Sequence, residues 1–176
     1  GEGPASAEIM FIGEGPGFHE NEQGRPFVGA AGRFLEELLA GIGLTREQVF
    51  ICNVVKCRPP GNRDPLPEEI DACAGYLERQ IRAVNPKVIV TLGRFSMARY
   101  FPNARISAVH GQARTVDGRL VLPMYQPAAA LHQPSLRRSV EEDFARLPEL
   151  MRRAEPIQAP PAEEEPPTPP QQLNLF

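Results

Sequence analysis

Four short apolar runs divide the chain and predict buried β-strands. They are rich in valine, isoleucine and leucine and do not alternate with polar residues. This pattern is typical of strands covered on both faces, as in a parallel sheet. The runs span residues 8–13, 49–53, 87–93 and 120–125.

Helical periodicity separates these runs. Apolar residues recur every three or four positions, which predicts helices at 29–42, 67–84, 94–101 and 139–153. Acidic residues open the second of these helices, and Ser139 with Glu142 gives the last a capping-box start. Strands that alternate with helices predict an α/β protein, a three-layer α/β/α sandwich around a central, mostly parallel four-stranded sheet.

Composition refines this outline. With 176 residues, 41% of them hydrophobic, the chain is long enough for one domain with a substantial core, predicted over residues 1–153. Residues 154–171 hold seven prolines and the run Glu163-Glu164-Glu165, and this composition predicts a disordered linker. No apolar stretch is long enough for a membrane span, and no signal peptide is recognisable, so no membrane partner is expected.

Charge and cysteine content leave a DNA-binding function open. The net charge of −3 does not favour a protein that binds nucleic acid with a uniformly basic surface. Because the acidic run lies in the predicted linker, the folded domain can still carry a local basic face. Three cysteines without a secretion signal indicate a reducing compartment, and we expect the cytoplasm.

Ligands of parallel sheets bind beyond the carboxyl ends of the strands, where this chain places three unusual loops. The first carries glycine at positions 13, 15 and 17 and carboxylates at Glu14 and Glu20. It is either a ligand cradle or an ordinary tight strand-to-helix connection. No Gly-Lys-Ser/Thr follows, which excludes a phosphate-binding P-loop. Phe27, between glycines, is either a core residue or a platform for a planar base.

The second and third loops follow the strands at 49–53 and 120–125. Asn53 ends a buried strand, so its amide needs partners within the loop or on a ligand. Lys56, Arg58 and Arg63 then make the loop basic, which suits either phosphate contacts or a solvated surface. The third loop is rich in proline and alanine and ends in two arginines.

Together these loops resemble the family 4 uracil-DNA glycosylases, the iron–sulfur branch of the uracil-DNA glycosylase superfamily. The resemblance covers about residues 1–153 and rests on six motifs in the family's order. They are Gly-Glu-Gly-Pro-Gly at 13–17 with Glu20, Gly-Arg-Pro-Phe-Val-Gly at 24–29, Asn-Val-Val-Lys-Cys-Arg-Pro-Pro at 53–60, Leu92-Gly93, His110-Gly111, and Pro127-Ala128-Ala129 with Leu131.

The resemblance implies removal of uracil from DNA and a role for each matching residue. Phe27 would stack on a flipped-out uracil in a pocket that includes Gly15, and Asn53 would pair with the polar edge of the base. Glu14 and Glu20 would stabilise the sugar cation or orient the attacking water, with Asn62 as a further active-site residue. The DNA contacts that the resemblance implies are the wedge residue Leu131 and the phosphate-binding Arg137 and Arg138, while Lys56 and Arg58 are predicted to contact DNA because their loop is basic.

Two departures from the family matter. The family has a histidine where this chain has Gln126, so we expect weakened or lost catalysis with base binding largely kept. The family also binds a [4Fe–4S] cluster through four cysteines. Cys57 and Cys73 match two of these, and the other pair, a Cys-x-x-Cys, would belong to an N-terminal segment absent from this chain. Cys52, within a predicted strand, is expected in the core.

The last five residues resemble the peptide by which bacterial repair proteins bind the sliding clamp. This predicted peptide spans residues 172–176, with Gln172, Leu173, Leu175 and Phe176 as its contacts. The sequence therefore predicts a monomeric bacterial repair glycosylase that acts on uracil-containing DNA at the nucleoid. The alternatives are a catalytically silent uracil-DNA or clamp-binding module, and a nucleotide-binding domain unrelated to repair.

Overall fold

In a computed structural model of the protein, residues 1–154 are described, and they form a sheet between two layers of helices. Nearly all of the predicted linker and the whole clamp-binding peptide lie outside the described residues. The strands are β1 Ile9–Gly13, β2 Phe50–Asn53, β3 Val88–Leu92, β4 Arg114–Val116 and β5 Arg119–Met124. Their order in the sheet is β2-β1-β3-β5-β4, and all neighbours are parallel except β4 and β5.

The prediction of four strands is corrected by the antiparallel strand β4 at one edge. This strand has three residues and is largely exposed, so no apolar run marks it. It joins β5 through Asp117 and Gly118, whose φ angles of 49° and 78° fit a type I′ hairpin turn. The Asp-Gly pair was therefore the sequence signal for this hairpin.

Eight α-helices cover the sheet within residues 1–154. They are α1 Phe18–Gln23, α2 Ala30–Gly41, α3 Pro67–Val84, α4 Arg94–Ala98, α5 Ile106–Val109, α6 Pro127–His132, α7 Pro134–Ala145 and α8 Leu147–Arg153. Two short 3₁₀ turns, Arg46–Gln48 and Pro60–Asn62, lie in the connections.

The predicted helices are only partly correct. The bounds of α3 are confirmed, whereas α4 ends three residues earlier than expected. The predicted last helix is two helices, and the first begins at Pro134 rather than at Ser139. Ser139 lies inside α7, where its hydroxyl donates to the Ser135 carbonyl (3.2 Å), so the predicted capping box is wrong.

The core lies on both faces of the sheet, which confirms the three-layer arrangement. Ile9 and Phe11 of β1 pack towards α2, α7 and α8, and the Phe11 ring stacks on Phe144 with centroids 5.7 Å apart. Met10 and Ile12 point to the opposite face, where Leu77 of α3 packs. Both alternating sets of β1 side chains are buried, which explains its uninterrupted apolar sequence.

The strand order determines where a ligand can bind. The chain passes from β1 to β2 on one side and then returns to β3 on the other side of β1. Such a reversal leaves a crevice beyond the carboxyl ends of the strands. The loops after β1, β2 and β5 meet at this edge. No helix within residues 1–154 is long and apolar enough to cross a membrane.

Candidate active site

A cavity of about 260 Å³ lies at the carboxyl edge of the sheet and brings together the three loops. Seven predicted site residues line it, namely Glu14, Gly15, Glu20, Phe27, Asn53, Asn62 and Gln126. A larger cavity of about 630 Å³ lies beside β4 and α8 and includes none of the predicted site residues. The smaller cavity is therefore the candidate active site.

Asn53 supplies an unused hydrogen-bond acceptor to this cavity. The residue is 7% exposed, and its Oδ1 has no hydrogen-bond partner within residues 1–154. A buried acceptor without a donor is costly, so an N–H group of a ligand would satisfy it. Gly13 makes room for this amide, because a Cβ there would lie 2.5 Å from Oδ1 and 2.6 Å from the Phe27 ring. The amide and the ring thus lie beside the same backbone position.

Phe27 is held in an unfavourable backbone conformation by contacts on both sides. Its φ is 51°, in the left-handed region that a residue with a bulky side chain rarely adopts. The Arg46 guanidinium donates to the carbonyl oxygens of Phe27 (2.8 Å) and Pro26. A Cβ at Gly32 would overlap the Phe27 carbonyl. The orientation of the ring is therefore set by residues outside the cavity.

Glu20 holds the same segment from the cavity side. Its Oε1 accepts hydrogen bonds from the backbone N–H groups of Val28 (3.0 Å) and Gly29 (2.9 Å). Burial is the largest single influence and raises the pKa of Glu20, but backbone hydrogen bonds, those of Gly29 and Val28 among them, together outweigh it and lower the pKa. One oxygen of the carboxylate predicted to act on the sugar or the water is thus committed to the Phe27 segment.

Glu14 has the opposite electrostatic setting. Burial, followed by the negative charge of Asp64, raises the pKa of its carboxyl group, while Arg94 opposes the shift. Two cavity carboxylates with pKa values shifted in opposite directions suit different tasks. Glu14 is the better proton acceptor, and Glu20 is the stable anion.

Gln126 occupies the N-cap position of α6, two residues after the end of β5. It packs against Gly93, whose φ is 95° and where a Cβ would lie 3.2 Å from that of Gln126. No described histidine lines the cavity. The Nδ1 atom of His110 lies 2.8 Å from an Asp143 carboxylate oxygen, and His110 also packs against Tyr125, so it does not replace the missing histidine.

The predicted DNA contacts differ in availability. Leu131 on α6 is 38% exposed, and the Arg138 side chain is 83% exposed, although it pairs with Glu142. Arg137 instead packs over the Phe34 ring, with Cζ 4.5 Å from the ring centroid, and pairs with Glu141. These contacts join α7 to α2, while the Arg137 side chain remains 46% exposed, so its contact with DNA stays a prediction.

Lys56 is also engaged inside the protein. Its Nζ donates to the Asn53 carbonyl oxygen (2.7 Å) and to Oε1 of Gln80 (2.6 Å), and burial lowers its pKa. Lys56 thus has two hydrogen-bond partners at the end of β2, and its contact with DNA stays a prediction. Arg58 donates to Oδ1 of Asn62 (2.6 Å), which holds that residue at the cavity wall.

The cysteines fall into two environments. Cys52 is 1% exposed, as expected for a core residue, and burial raises its pKa to about 11. Cys57 is exposed, and the sulfur of half-buried Cys73 accepts the Lys56 backbone N–H (3.3 Å). Such N–H to sulfur bonds are typical of cluster-binding thiolates. Cys57 and Cys73 are free thiols of the type that binds iron–sulfur clusters, and no group of three metal-binding side chains occurs among the described residues.

Comparison with known proteins agrees with this geometry. A model of the uracil DNA glycosylase superfamily matches residues 1–147. The chain belongs to this superfamily. The type-4 uracil-DNA glycosylase of Sulfurisphaera tokodaii is 51% identical over 160 residues, covering 85% of this chain and 73% of the relative. That of Archaeoglobus fulgidus is 49% identical over 166 residues, covering 89% and 83%. The predicted resemblance to family 4 is confirmed.

A more distant relative is a DNA polymerase of Bacillus phage SP01, 30% identical over 152 residues that cover 86% of this chain but 16% of the polymerase. The domain thus also has a counterpart within a much longer protein.

The sequence predicted residues that line the cavity of this superfamily member, but it did not predict Arg46, which supports Phe27 from outside the cavity. Arg46 lies 19 positions from Phe27, and no local motif links the two residues. Its side chain is only 9% exposed, which is unusual for an arginine in a connecting segment. Only the folded chain brings the two residues together.

Proposed function

We propose that this chain is a uracil-DNA glycosylase, which hydrolyses the N-glycosidic bond between uracil and deoxyribose as the first step of base excision repair. The observation that carries the proposal is the unpaired, buried Asn53 Oδ1 beside the Phe27 ring, in a member of this superfamily. A planar ring and an amide at one cavity wall suit a flipped pyrimidine base.

Recognition of uracil rests on the direction of two hydrogen bonds. Asn53 accepts from N3–H of uracil and donates to O4, while Phe27 stacks on the ring. Cytosine presents an acceptor at N3 and a donor at C4, so the same amide would leave both pairs mismatched. Unpaired buried polar groups give strong discrimination, on the order of 10⁴-fold where such a site is well formed.

Hydrolysis breaks the C1′–N1 bond, and its electron pair leaves with uracil. The oxygen of water bonds to C1′ and one water proton passes to Glu14, which later releases it to solvent, while the uracil anion takes a proton from solvent. Glu14 is suited to this task because burial raises its pKa towards the working pH. Glu20, as the stable anion, holds the stacking segment and adds negative charge near the sugar.

Gln126 is the residue that should limit the rate of hydrolysis in the proposed mechanism. Its amide donates to O2 of uracil as negative charge develops there, in place of the family's histidine. A missing or poorly placed donor to a developing anion typically costs on the order of 10²-fold or more in rate. The proposed enzyme is therefore slow, and its affinity for uracil-containing DNA is largely preserved.

The test is release of uracil from a single-stranded oligonucleotide, followed by alkaline cleavage at the abasic site. The wild-type chain, Gln126→His and the control Gln112→His are compared. We expect the first substitution to raise the rate by about 100-fold. Gln112 lines the other cavity, so its replacement should change nothing. No cleavage by any of the three proteins would overturn the proposal and favour a silent uracil-DNA-binding module.

The partners form a second part of the proposal. Cys57 and Cys73 would supply two of the four thiolates of a [4Fe–4S] cluster. The cluster would cross-link the loop after β2 to α3, and no step of hydrolysis is assigned to it.

Residues 172–176 would bind the sliding clamp of a bacterium while a monomeric catalytic domain acts on DNA in the cytoplasm. Iron content of the purified protein, and clamp binding with and without Phe176→Ala, test these statements.

A further inference from the structure

Phe18 is an exposed aromatic residue close in sequence to residues that line the candidate active site. It begins α1, and its side chain is one of few large apolar groups left open to solvent in the described part of the chain, with 54% of the residue exposed. The flanking residues Gly17 and Glu20 both line the cavity. An exposed aromatic ring at this place is a candidate contact for whatever enters the cavity.

A cation lies against this ring and ties it to the cavity wall. The guanidinium Cζ of Arg58 is 5.3 Å from the centroid of the Phe18 ring. The Nε atom of Arg58 donates to Oδ1 of Asn62, which lines the cavity. The His19 ring meets Phe18 edge-on, with centroids 5.5 Å apart. Arg58 and His19 thus both contact the Phe18 ring, while more than half of the residue remains exposed.

An aromatic ring beside an arginine is the combination that binds single-stranded nucleic acid, because a base stacks on the ring and the cation meets a phosphate. Moving a base out of the stack also leaves its neighbour without a stacking partner on one side. The stacking partner for that neighbour must lie outside the cavity but close to its mouth. Phe18 lies at such a position.

We propose that Phe18 is a second stacking platform, which binds the nucleobase adjacent to the target uracil while Arg58 faces the phosphate between them. The inference rests on the proposed function, because it requires DNA with a flipped uracil. It adds a subsite for one neighbouring nucleotide. The sequence of the DNA matters little there, since every base has a face on which to stack.

The test measures binding, so it does not depend on catalytic rate. Single-stranded oligonucleotides carry 2′-fluoro-deoxyuridine, which resists hydrolysis, and their dissociation constants are measured by fluorescence anisotropy. One oligonucleotide has normal neighbours. In two others a tetrahydrofuran unit, which has no base, replaces the 5′ or the 3′ neighbour of the uracil.

The variants are Phe18→Ala, Phe18→Tyr and Phe18→Leu, with Tyr76→Ala as the matched control. Tyr76 is 57% exposed and has the Arg79 guanidinium over its ring (4.7 Å), but it lies on α3 away from the cavity lining. We expect Phe18→Ala to weaken binding of the normal oligonucleotide at least about fivefold. Phe18→Tyr should retain the affinity, Phe18→Leu should lose it, and the control should bind like the wild-type protein.

The decisive result is the comparison across oligonucleotides. Removal of one particular neighbouring base should weaken binding by the wild-type protein and abolish the difference between it and Phe18→Ala. An equal loss on all three oligonucleotides, or no loss at all, overturns the inference, as does wild-type affinity in Phe18→Leu. Failure of the proposed function is distinguishable, because it would appear as absent uracil release by Gln126→His whatever residue 18 is.

Discussion

Arg46 does not line the cavity, but its replacement should strongly lower the rate of uracil release. The guanidinium donates to the carbonyl oxygens of Phe27 and Pro26, and its side chain is 9% exposed. Arg46→Met keeps a long apolar side chain but removes both donors. The two carbonyls then lose their partners in a region that water reaches poorly.

The magnitude follows from these contacts. A buried polar group without a partner costs about 1–3 kcal/mol, so loss of two donors should lower the free energy of unfolding by at least about 2 kcal/mol. The left-handed backbone conformation of Phe27 costs roughly a further 1–3 kcal/mol, and contacts around this residue must offset that cost. Without Arg46 the segment can relax, and a displacement of the ring by about 1 Å can cost about 100-fold in rate.

The assay is a double-mutant cycle on uracil release in the Gln126→His background. If Arg46 acts through the ring, Arg46→Met should lower kcat/KM about 100-fold alone but less than about threefold when Phe27 is already alanine. Glu36→Gln is the control, because it removes an exposed partner of Arg46 and leaves the two carbonyl contacts intact. Equal losses from Arg46→Met in both backgrounds would refute a role through Phe27.

Three further predictions concern space and charge. Gly13→Ala should abolish uracil release, because the new methyl would meet the amide oxygen and the aromatic ring at 2.5 and 2.6 Å. Gly41→Ala, where nothing lies within 4 Å, should leave release unchanged, and equal activity of the two variants would contradict this account. Burial raises the pKa of Glu14 above 4.5, so kcat/KM should begin to fall with decreasing pH already above pH 4.5. Glu14→Gln should lose activity at all pH values. A fall of kcat/KM that begins only at or below pH 4.5 would contradict a role for ionised Glu14 as the proton acceptor. Hydrogen bonds from arginines lower the pKa of Glu2 to about 2 from 4.5, so its contribution to stability is present above pH 4.5 and is lost as pH falls towards 2. Denaturation at a series of pH values should show a shallower acid loss for Glu2→Gln, and an unchanged slope would exclude this contribution.

The strands and the cavity wall could be predicted from sequence because their signals are local. An uninterrupted apolar run such as Ile9–Gly13 is typical of a strand covered on both faces, and the residue after such a strand lies at the ligand-binding edge. Asn53 and Phe27 were therefore accessible to pattern reasoning and to the resemblance.

The remaining features depend on contacts between distant parts of the chain. The edge strand Arg114–Val116 is too short and polar for a periodic signal, and Pro134 rather than Ser139 begins α7 because proline suits the first turn of a helix. The basic loop predicted a DNA contact for Lys56, and the family resemblance implied one for Arg137. Both side chains also have partners within the protein, Gln80 and the Phe34 ring, each more than 20 positions away. No local sequence pattern indicates these tertiary contacts.

In the proposed mechanism, Asn53 selects a uracil that is stacked on Phe27 within this cavity. The most direct test is single-turnover base release by the Gln126→His chain from oligonucleotides that carry uracil or cytosine at one position, with and without Asn53→Ala. We expect rapid release of uracil, no detectable release of cytosine, and loss of uracil release on the order of 10²-fold or more in Asn53→Ala. Release of both bases at similar rates, or uracil release that is unaffected by Asn53→Ala, would contradict this mechanism.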